Sequence, residues 1–169
     1  GSICTEKGHY DCLDLTTLPE NYLPRTNYRP AISESEYRSR IPHVTWTGKK
    51  LVTEFYRLVT RKMLPPANER TLISSIQPPQ TGHIDGCFSL TFSSCSDLAR
   101  LAGLLASLPY DFFIKTTGKT NSRNELASLF PDTKGDPFQL VRALTLNCLT
   151  AHYADLWSEC WDESFQQQC

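Results

Sequence analysis

Phe55-Tyr-Arg-Leu-Val-Thr-Arg61 is the stretch of sequence that decides the fold class of this chain. The segment is enriched in β-branched and aromatic residues, which favour a strand, and the proline pair Pro65-Pro66 ends it abruptly. Apolar residues from Leu51 onward also fit helical spacing, so periodicity alone leaves a helix open over residues 51–64. On side-chain composition we predict a strand over Phe55–Arg61.

Strand signals come first along the chain and helix signals follow. Proline pairs and glycines bound the predicted strands, whereas capping residues and apolar stripes mark the helices. The predicted elements after Arg61 are, in order, strands at Thr71–Ile76 and Ile84–Phe92, a helix from Ser96 to Pro109, a short helix at Tyr110–Thr116, a helix that starts at Asp136-Pro137 and a last helix capped by Thr150. This order predicts an α/β fold of the α+β-like kind, with a mixed β-sheet from the N-terminal half packed against C-terminal helices.

Length and composition indicate one globular domain. The chain has 169 residues, of which 40% are hydrophobic and 21% charged, and this excludes a disordered protein. We expect a single domain over residues 3–169. A strand- and loop-rich part would cover 3–95, with a short strand near Asn21–Tyr28, and a helix-rich part would cover 96–165. Gly1-Ser2 resembles a tag remnant, and the absence of an initiator Met predicts a fragment of a longer protein. No apolar run has membrane-spanning length.

The cysteine pattern favours a reducing compartment. The chain has seven cysteines with no Cys-x-x-Cys spacing, and an odd number leaves at least one unpaired. We interpret them as reduced thiols of a cytoplasmic protein, mostly small core residues. Cys4, His9 and Cys12 suggest zinc, but a fourth ligand at the usual spacing is missing, so we predict no metal site.

Charge is unevenly distributed along the chain. Residues 1–24 carry a net charge of −3 and residues 71–169 a net charge of −4. Residues 25–70 hold ten Lys and Arg against four acids, a net charge of +6, with aromatic residues interleaved. A basic segment between acidic flanks can meet phosphates on one face. The same pattern is also typical of an ordinary solvated face over an aromatic core, and both interpretations stay open here.

Four segments, taken in order, carry a family resemblance. They are Glu54-Phe-Tyr-Arg-Leu58, Asn68-Glu-Arg-Thr-Leu-Ile73, Ser107-Leu-Pro-Tyr-Asp-Phe-Phe113 and Leu146-Asn-Cys-Leu-Thr-Ala-His-Tyr-Ala-Asp-Leu-Trp157. They resemble the target-recognition (C-terminal specificity) region of bacterial adenine-N6 DNA methyltransferases of the fused restriction–modification, type IIG-like class. The resemblance implies a module that reads double-stranded DNA for restriction–modification or phage defence. It also implies a catalytic methyltransferase domain in the parent chain, with S-adenosylmethionine bound there.

The catalytic motifs of that family are absent from this chain. Pro65-Pro66 and Pro78-Pro79 stand in Leu-Pro-Pro-Ala and Gln-Pro-Pro-Gln, not in the Asn-Pro-Pro-aromatic loop that holds a flipped adenine. A glycine-rich turn after a strand, which S-adenosylmethionine binding would need, is also missing. We therefore expect no catalytic residue, no cofactor and no metal in this fragment.

The candidate DNA-binding residues follow from the chemistry of base and phosphate recognition. Arg can grip guanine and Asn adenine with paired hydrogen bonds, and cations on loops reach phosphates. The candidates are Arg25, Arg29, Arg38, Arg40, Lys49, Lys50, Arg57, Arg61, Asn68, Arg70, Lys119 and Arg123. We favour the first six as DNA-facing, because residues that recur across proteins with different targets more naturally support the scaffold. For Arg70 the alternative is an ion pair with Glu69 or Glu54 at a strand entrance.

Two other classes of function stay open. A protein-interaction or subunit-docking domain would expose Trp157, Trp161 and Phe165 on one face, since an apolar patch of that size rarely faces water. A small hydrolase or nuclease would need a carboxylate or Cys/His cluster in one pocket, and Glu54 with Lys62 is only a generic pair.

Overall fold

A computed structural model of the chain describes residues 13–24, 28–121 and 136–168. The described helices and strands, in chain order, are α1 (Glu34–Ser39), β1 (Arg57–Arg61), β2 (Ser74–Gln77), β3 (Cys87–Thr91), α2 (Cys95–Ala106), α3 (Leu108–Thr116), α4 (Pro137–Asn147) and α5 (Ala154–Cys160). Short 3-10 helices lie at Val52–Glu54, Ala151–Tyr153 and Glu163–Gln168. The predicted α/β class is confirmed, with one domain built of a sheet and a helical layer.

The sheet has the strand order β2-β1-β3, and both pairings are antiparallel in the described part of the chain. Leu58 of β1 lies opposite Ile76 of β2 and Leu90 of β3. These three side chains belong to the hydrophobic core, so they define the inner face of the sheet. Side chains alternate along a strand, and the residues on either side of Leu58 therefore face outward.

Helix α2 covers the inner face of the sheet. Its leucine stripe is buried against β1 and β2, and α4 packs on its other side. The two helices approach closely at Gly103, where an added Cβ would lie 3.0 Å from the Cβ of Ala143. A glycine at this crossing therefore sets the spacing of the helical layer. Phe165 and Leu156 near the C-terminus also belong to this core, and both are almost fully buried.

The helix boundaries differ in detail from the sequence prediction. Helix α2 starts one residue earlier than expected and is capped by Ser94, whose hydroxyl accepts from the backbone N–H of Asp97. It ends at Ala106, short of the predicted Pro109. Ser107 then caps α3, and Pro109 lies in the first turn of that helix, where its missing N–H is harmless.

The predicted start of α4 is confirmed, whereas the predicted cap of the last helix is not. The Asp136 carboxylate accepts from the N–H of Phe138, and Pro137 occupies the first turn. Thr150 precedes the 3-10 turn Ala151–Tyr153, but within the described residues its side chain makes no capping hydrogen bond. Among the described residues, the Thr150 hydroxyl is buried and has no hydrogen-bond partner.

The N-terminal part contains a helix where short strands were predicted. Residues 21–24 and Tyr28 form no strand, and residues 25–27 lie outside the described part of the chain. Helix α1 follows, capped by Ser33. Gly48 adopts a φ of +68°, which confirms the predicted turn. The zinc-like trio Cys4, His9 and Cys12 lies outside the described residues. None of the described helices has the length and apolar character needed to cross a membrane.

Candidate nucleic-acid interface

The outer face of the sheet is polar and carries two arginines. Arg57 and Arg61 alternate with the core residues of β1 and therefore point away from the helical layer. Arg57 lies opposite Gln77 of β2 and Thr91 of β3, and Arg61 lies opposite Cys87 of β3. Between them, Val59 lies opposite Ser75 of β2 and Ser89 of β3. The face is at least partly open at most of these positions. It offers hydrogen-bonding groups and positive charge on a rigid support.

A groove of about 650 Å³ lies over one end of this face. Its apolar wall is formed by Pro30, Ile32, Ile41 and Val52, which belong to the segments around α1 and the first 3-10 turn. Its polar lining comes from Tyr37, Arg40, Arg57, His83 and Ser89. The groove therefore combines apolar surface with a few converging polar groups, the usual make-up of a ligand site.

Arg57 lines this groove and is only 3% exposed. Its Nη2 donates to the carbonyl oxygen of Thr81 and lies 3.5 Å from Oε1 of Gln77. Its Nε has no hydrogen-bond partner, and no carboxylate pairs with the guanidinium among the described residues. Desolvation by burial lowers the pKa of Arg57, which reflects the absence of a compensating negative charge.

His83 joins the loop after β2 to the outer face of β3. Its Nδ1 lies 3.0 Å from the carbonyl oxygen of Ile84, and its Nε2 lies 2.9 Å from Oγ of Ser89. Because a carbonyl oxygen only accepts, Nδ1 carries the proton, and in the neutral ring Nε2 accepts from the Ser89 hydroxyl. This pair fixes one wall of the groove against the sheet.

Five of the six favoured cations are described, and all five are exposed. Arg38 and Arg40 lie on α1 and pair with acids one turn earlier, at 3.6 Å from Glu34 and 2.5 Å from Glu36. Such exposed pairs are weak and can be exchanged for contacts with phosphate. The other three are Arg29, Lys49 and Lys50. Lys50 Nζ lies 5.8 Å from the ring centre of Phe55. Arg25 and Arg123 lie outside the described residues.

Among the remaining candidates, Arg61 and Arg70 donate hydrogen bonds to backbone carbonyl oxygens of the fold. Arg61 donates from Nε to the carbonyl oxygen of Met63 at 3.0 Å, and its Nη2 is buried with no partner in the described part. Arg70 donates to the carbonyl oxygen of Ala106 at 3.0 Å and lies 3.7 Å from Asp111. Arg70 therefore forms an ion pair, as the alternative interpretation expected, but its partner is Asp111 and not Glu69 or Glu54. Asn68 is exposed and Lys119 half-buried.

The aromatic residues at the C-terminus pack on one another. Phe165 is 2% exposed, and its ring centre lies 6.4 Å from that of Trp157 and 5.5 Å from that of Trp161. Only Trp161 of the three is exposed, at 48%. The exposed aromatic face that a docking domain would need is therefore not formed by these residues. In the described ranges no three His, Cys, Asp or Glu side chains are grouped so as to hold a metal ion.

Sequence reasoning missed Tyr37, His83 and Ser89 as groove residues. The sequence favours a surface or internally satisfied histidine at His83, and its two hydrogen bonds agree with the second interpretation while placing it at the groove. The alternation along the predicted strands was the available signal, since it assigns Arg57 and Ser89 to one face. The approach of α1 to that face depends on distant contacts that periodicity does not encode.

Comparison with known proteins identifies no relative: no protein-family model matches the chain, and no curated protein or solved structure matches it significantly.

Proposed function

We propose that this chain is a sequence-specific double-stranded DNA recognition module of an adenine DNA methyltransferase from a restriction–modification or phage-defence system. The module has no catalysis of its own. The parent chain supplies a catalytic domain that binds S-adenosylmethionine and methylates the adenine. The observation that carries the proposal is the polar outer face of the sheet, where Arg61 is partly exposed, together with the exposed cations of residues 29–50.

The shape and chemistry of this face suit the major groove of DNA. An antiparallel pair of strands can enter that groove, and Arg, Gln, Ser and Thr side chains can contact base edges there. In this proposal Arg61, which is partly exposed, contacts base edges. The exposed Arg29, Lys49 and Lys50 would contact phosphates, which fix the register without reading sequence.

The location of the resembling segments supports the same division of roles. Asp111 accepts hydrogen bonds from the backbone N–H groups of Thr71 and Leu72, which joins the second segment to the third. Tyr56 donates its hydroxyl to the carbonyl oxygen of His152 at 2.9 Å, which joins the first segment to the fourth. Hydrogen bonds thus link the four segments in two pairs, and all four contribute residues to the one hydrophobic core. In this proposal the exposed cations before β1 contact DNA, and their identity differs between proteins that have different DNA targets.

The proposal is tested by binding to a pool of random duplex DNA at low and moderate salt, with sequencing of the retained molecules. We expect enrichment of a short motif and weaker binding as salt rises, because bound cations release counterions from the phosphates. Enrichment by neither this chain nor its parent chain would contradict the proposal.

Substitution of the exposed cations makes the test specific to the surface. In Arg29→Gln/Lys49→Gln/Lys50→Gln, the slope of log affinity against log salt should fall by about 0.9 for each phosphate that the variant no longer neutralises. The enriched motif should stay the same, since these residues do not read bases. Arg142→Gln, on an exposed position of α4 in the helical layer, is the control and should leave both slope and motif unchanged. An equal decrease of the slope in the control would mean that binding follows net charge and not this face.

A further inference from the structure

We propose that the groove beside Arg57 is a binding site for a small carboxylate with an apolar body. This goes beyond DNA recognition, because the ligand is a free small molecule that occupies the groove and not a duplex. The argument rests on the uncompensated charge of Arg57, on the apolar wall opposite it and on the size of the groove.

Arg57 is a buried cation without a counter-charge. It is 3% exposed, and none of the described carboxylates pairs with it. Arginine keeps its proton at physiological pH even when buried, so the charge persists. An isolated charge removed from water is unfavourable unless an opposite charge or hydrogen bonds compensate it. Backbone and amide oxygens near Thr81 supply part of that compensation, and the partnerless Nε shows that it is incomplete.

The other charged side chain of the groove does not supply the missing anion. Arg40 is itself cationic and is already paired with Glu36. The groove lining therefore carries one uncompensated positive charge, which favours a monoanion over a doubly charged phosphate ester. Arginine binds carboxylates through strong charge-assisted hydrogen bonds. The Tyr37 hydroxyl, which lines the same groove, is a further hydrogen-bonding group for the ligand.

The size and walls of the groove indicate the rest of the ligand. A volume of about 650 Å³ lies within the range of small-molecule sites in proteins. Pro30, Ile32, Ile41 and Val52 give it an apolar wall that a simple inorganic anion would leave uncovered. A ring or short aliphatic chain attached to the carboxylate would bury this surface and gain hydrophobic stabilisation.

The test compares three probes that separate charge from apolar surface. Benzoate has both features, benzamide is its neutral counterpart of the same shape, and acetate has the charge alone. We expect saturable benzoate binding, measured by NMR titration of the chain. Benzamide and acetate should each bind at least tenfold more weakly. No saturable benzoate binding, or equal affinity for benzoate and benzamide, would overturn the proposal.

Variants assign the site to Arg57. Arg57→Gln should weaken benzoate at least tenfold and leave benzamide unchanged. Arg100→Gln is the matched control, because Arg100 also has a buried Nε without a partner among the described residues but lies on α2, outside the groove lining. The Arg100→Gln variant should bind benzoate as tightly as the unsubstituted chain. If it weakens benzoate binding as much as Arg57→Gln does, the assignment of the site to Arg57 is contradicted.

A second variant serves if Arg57→Gln does not fold. Ala31 is exposed and lines the groove, so Ala31→Trp fills the space without removing a hydrogen bond in the core. It should abolish benzoate binding while leaving the thermal unfolding temperature without ligand unchanged. Benzoate binding that survives in Ala31→Trp would place the ligand elsewhere. Neither result depends on DNA binding, so this proposal and the DNA proposal can fail separately.

Discussion

Asp111 joins parts of the described chain that lie about forty residues apart. The residue is 5% exposed. Its carboxylate accepts hydrogen bonds from the backbone N–H groups of Thr71 at 3.0 Å and Leu72 at 2.6 Å. Arg70 supplies the nearby positive charge at 3.7 Å. These contacts connect α3 to the segment that enters β2, and they satisfy two buried donors that the sheet does not use.

Removal of this carboxylate should strongly destabilise the protein. Asp111→Ala leaves two buried N–H groups without an acceptor and Arg70 without its carboxylate partner, and each buried unsatisfied donor costs about 1–3 kcal/mol. We expect the free energy of unfolding, measured by urea denaturation, to fall by about 3–5 kcal/mol.

Asp85→Ala is the control for the Asp111 substitution. The side chain of Asp85 is 96% exposed and pairs with Lys62 at 2.7 Å, and exposed pairs of this kind contribute little to stability. Similar decreases in the two variants would refute the role given to the buried carboxylate.

At the residue scale, the sequence identified the important segments but not their partners. Arg70 and Asp111 both lie in segments that carried the family resemblance, yet the alternative for Arg70 named Glu69 or Glu54. The reason is sequence distance: Asp111 lies about forty residues beyond Arg70 in the chain, and only the fold brings them together. Arg57 was likewise predicted on a strand, while its burial depends on the loop that contains Thr81.

At the element scale, β1 was predicted because its composition decides its conformation. The observed strand begins at Arg57, two residues after the predicted start, because Phe55 ends the 3-10 turn Val52–Glu54. Within residues 51–64, for which a helix was the alternative prediction, this turn is the helical part. Helix α1 was missed because it has six residues and none of them is buried, so it lacks an apolar stripe. Its one local signal was Ser33 followed three residues later by Glu36.

The crossing of α2 and α4 depends on the absence of a side chain at Gly103. An added Cβ there would lie 3.0 Å from the Cβ of Ala143 and 3.4 Å from Cγ of Gln139. Gly103→Leu should therefore force the helices apart, and overpacking of this kind costs about 1–3 kcal/mol. The measurement is the free energy of unfolding in urea. Ala106→Leu, at the exposed end of the same helix, should change it by less than about 0.5 kcal/mol. Equal effects would show that the crossing tolerates a larger side chain.

At the scale of the whole molecule, the strand-rich and helix-rich parts of the chain share one core. The backbone of Ile76 in β2 donates its N–H to Asn147 and accepts from the hydroxyl of Tyr153, both at 2.9 Å. This agrees with the predicted packing of an N-terminal sheet on C-terminal helices. The prediction of a mixed sheet is wrong for the described strands, because both pairs are antiparallel. A strand's own sequence does not reveal the direction of its neighbours.

The shared core keeps several thiol and phenol groups protonated. Burial raises the pKa of Cys95, Cys148, Tyr110 and Tyr153 to about 12. In the unfolded chain these groups lose their protons at lower pH, near 9 for the thiols and 10 for the phenols. The stability they contribute is therefore fully present below about pH 8.5 and is lost as pH rises toward 12.

The urea midpoint, measured with reductant present, should consequently decrease between pH 8 and pH 10.5. Because the groups are partly exposed, we expect the free energy of unfolding to fall by an amount on the order of 1–2 kcal/mol over this range. Cys148→Ala removes one of the titrating groups and should flatten the dependence. A midpoint that stays constant over this range would contradict the assignment of these groups to a shared, water-poor core.

The alternation of side chains along β1 has a consequence for how this protein can evolve. Leu58 and Thr60 serve the core, while Arg57, Val59 and Arg61 face outward, and a one-residue slip would exchange the two sets. Insertions or deletions within the strand are therefore tolerated only in steps of two. Point substitutions at the outward positions meet no such restriction. Lineages can thus diversify the outward-facing side chains at every second residue while they inherit an unchanged interior.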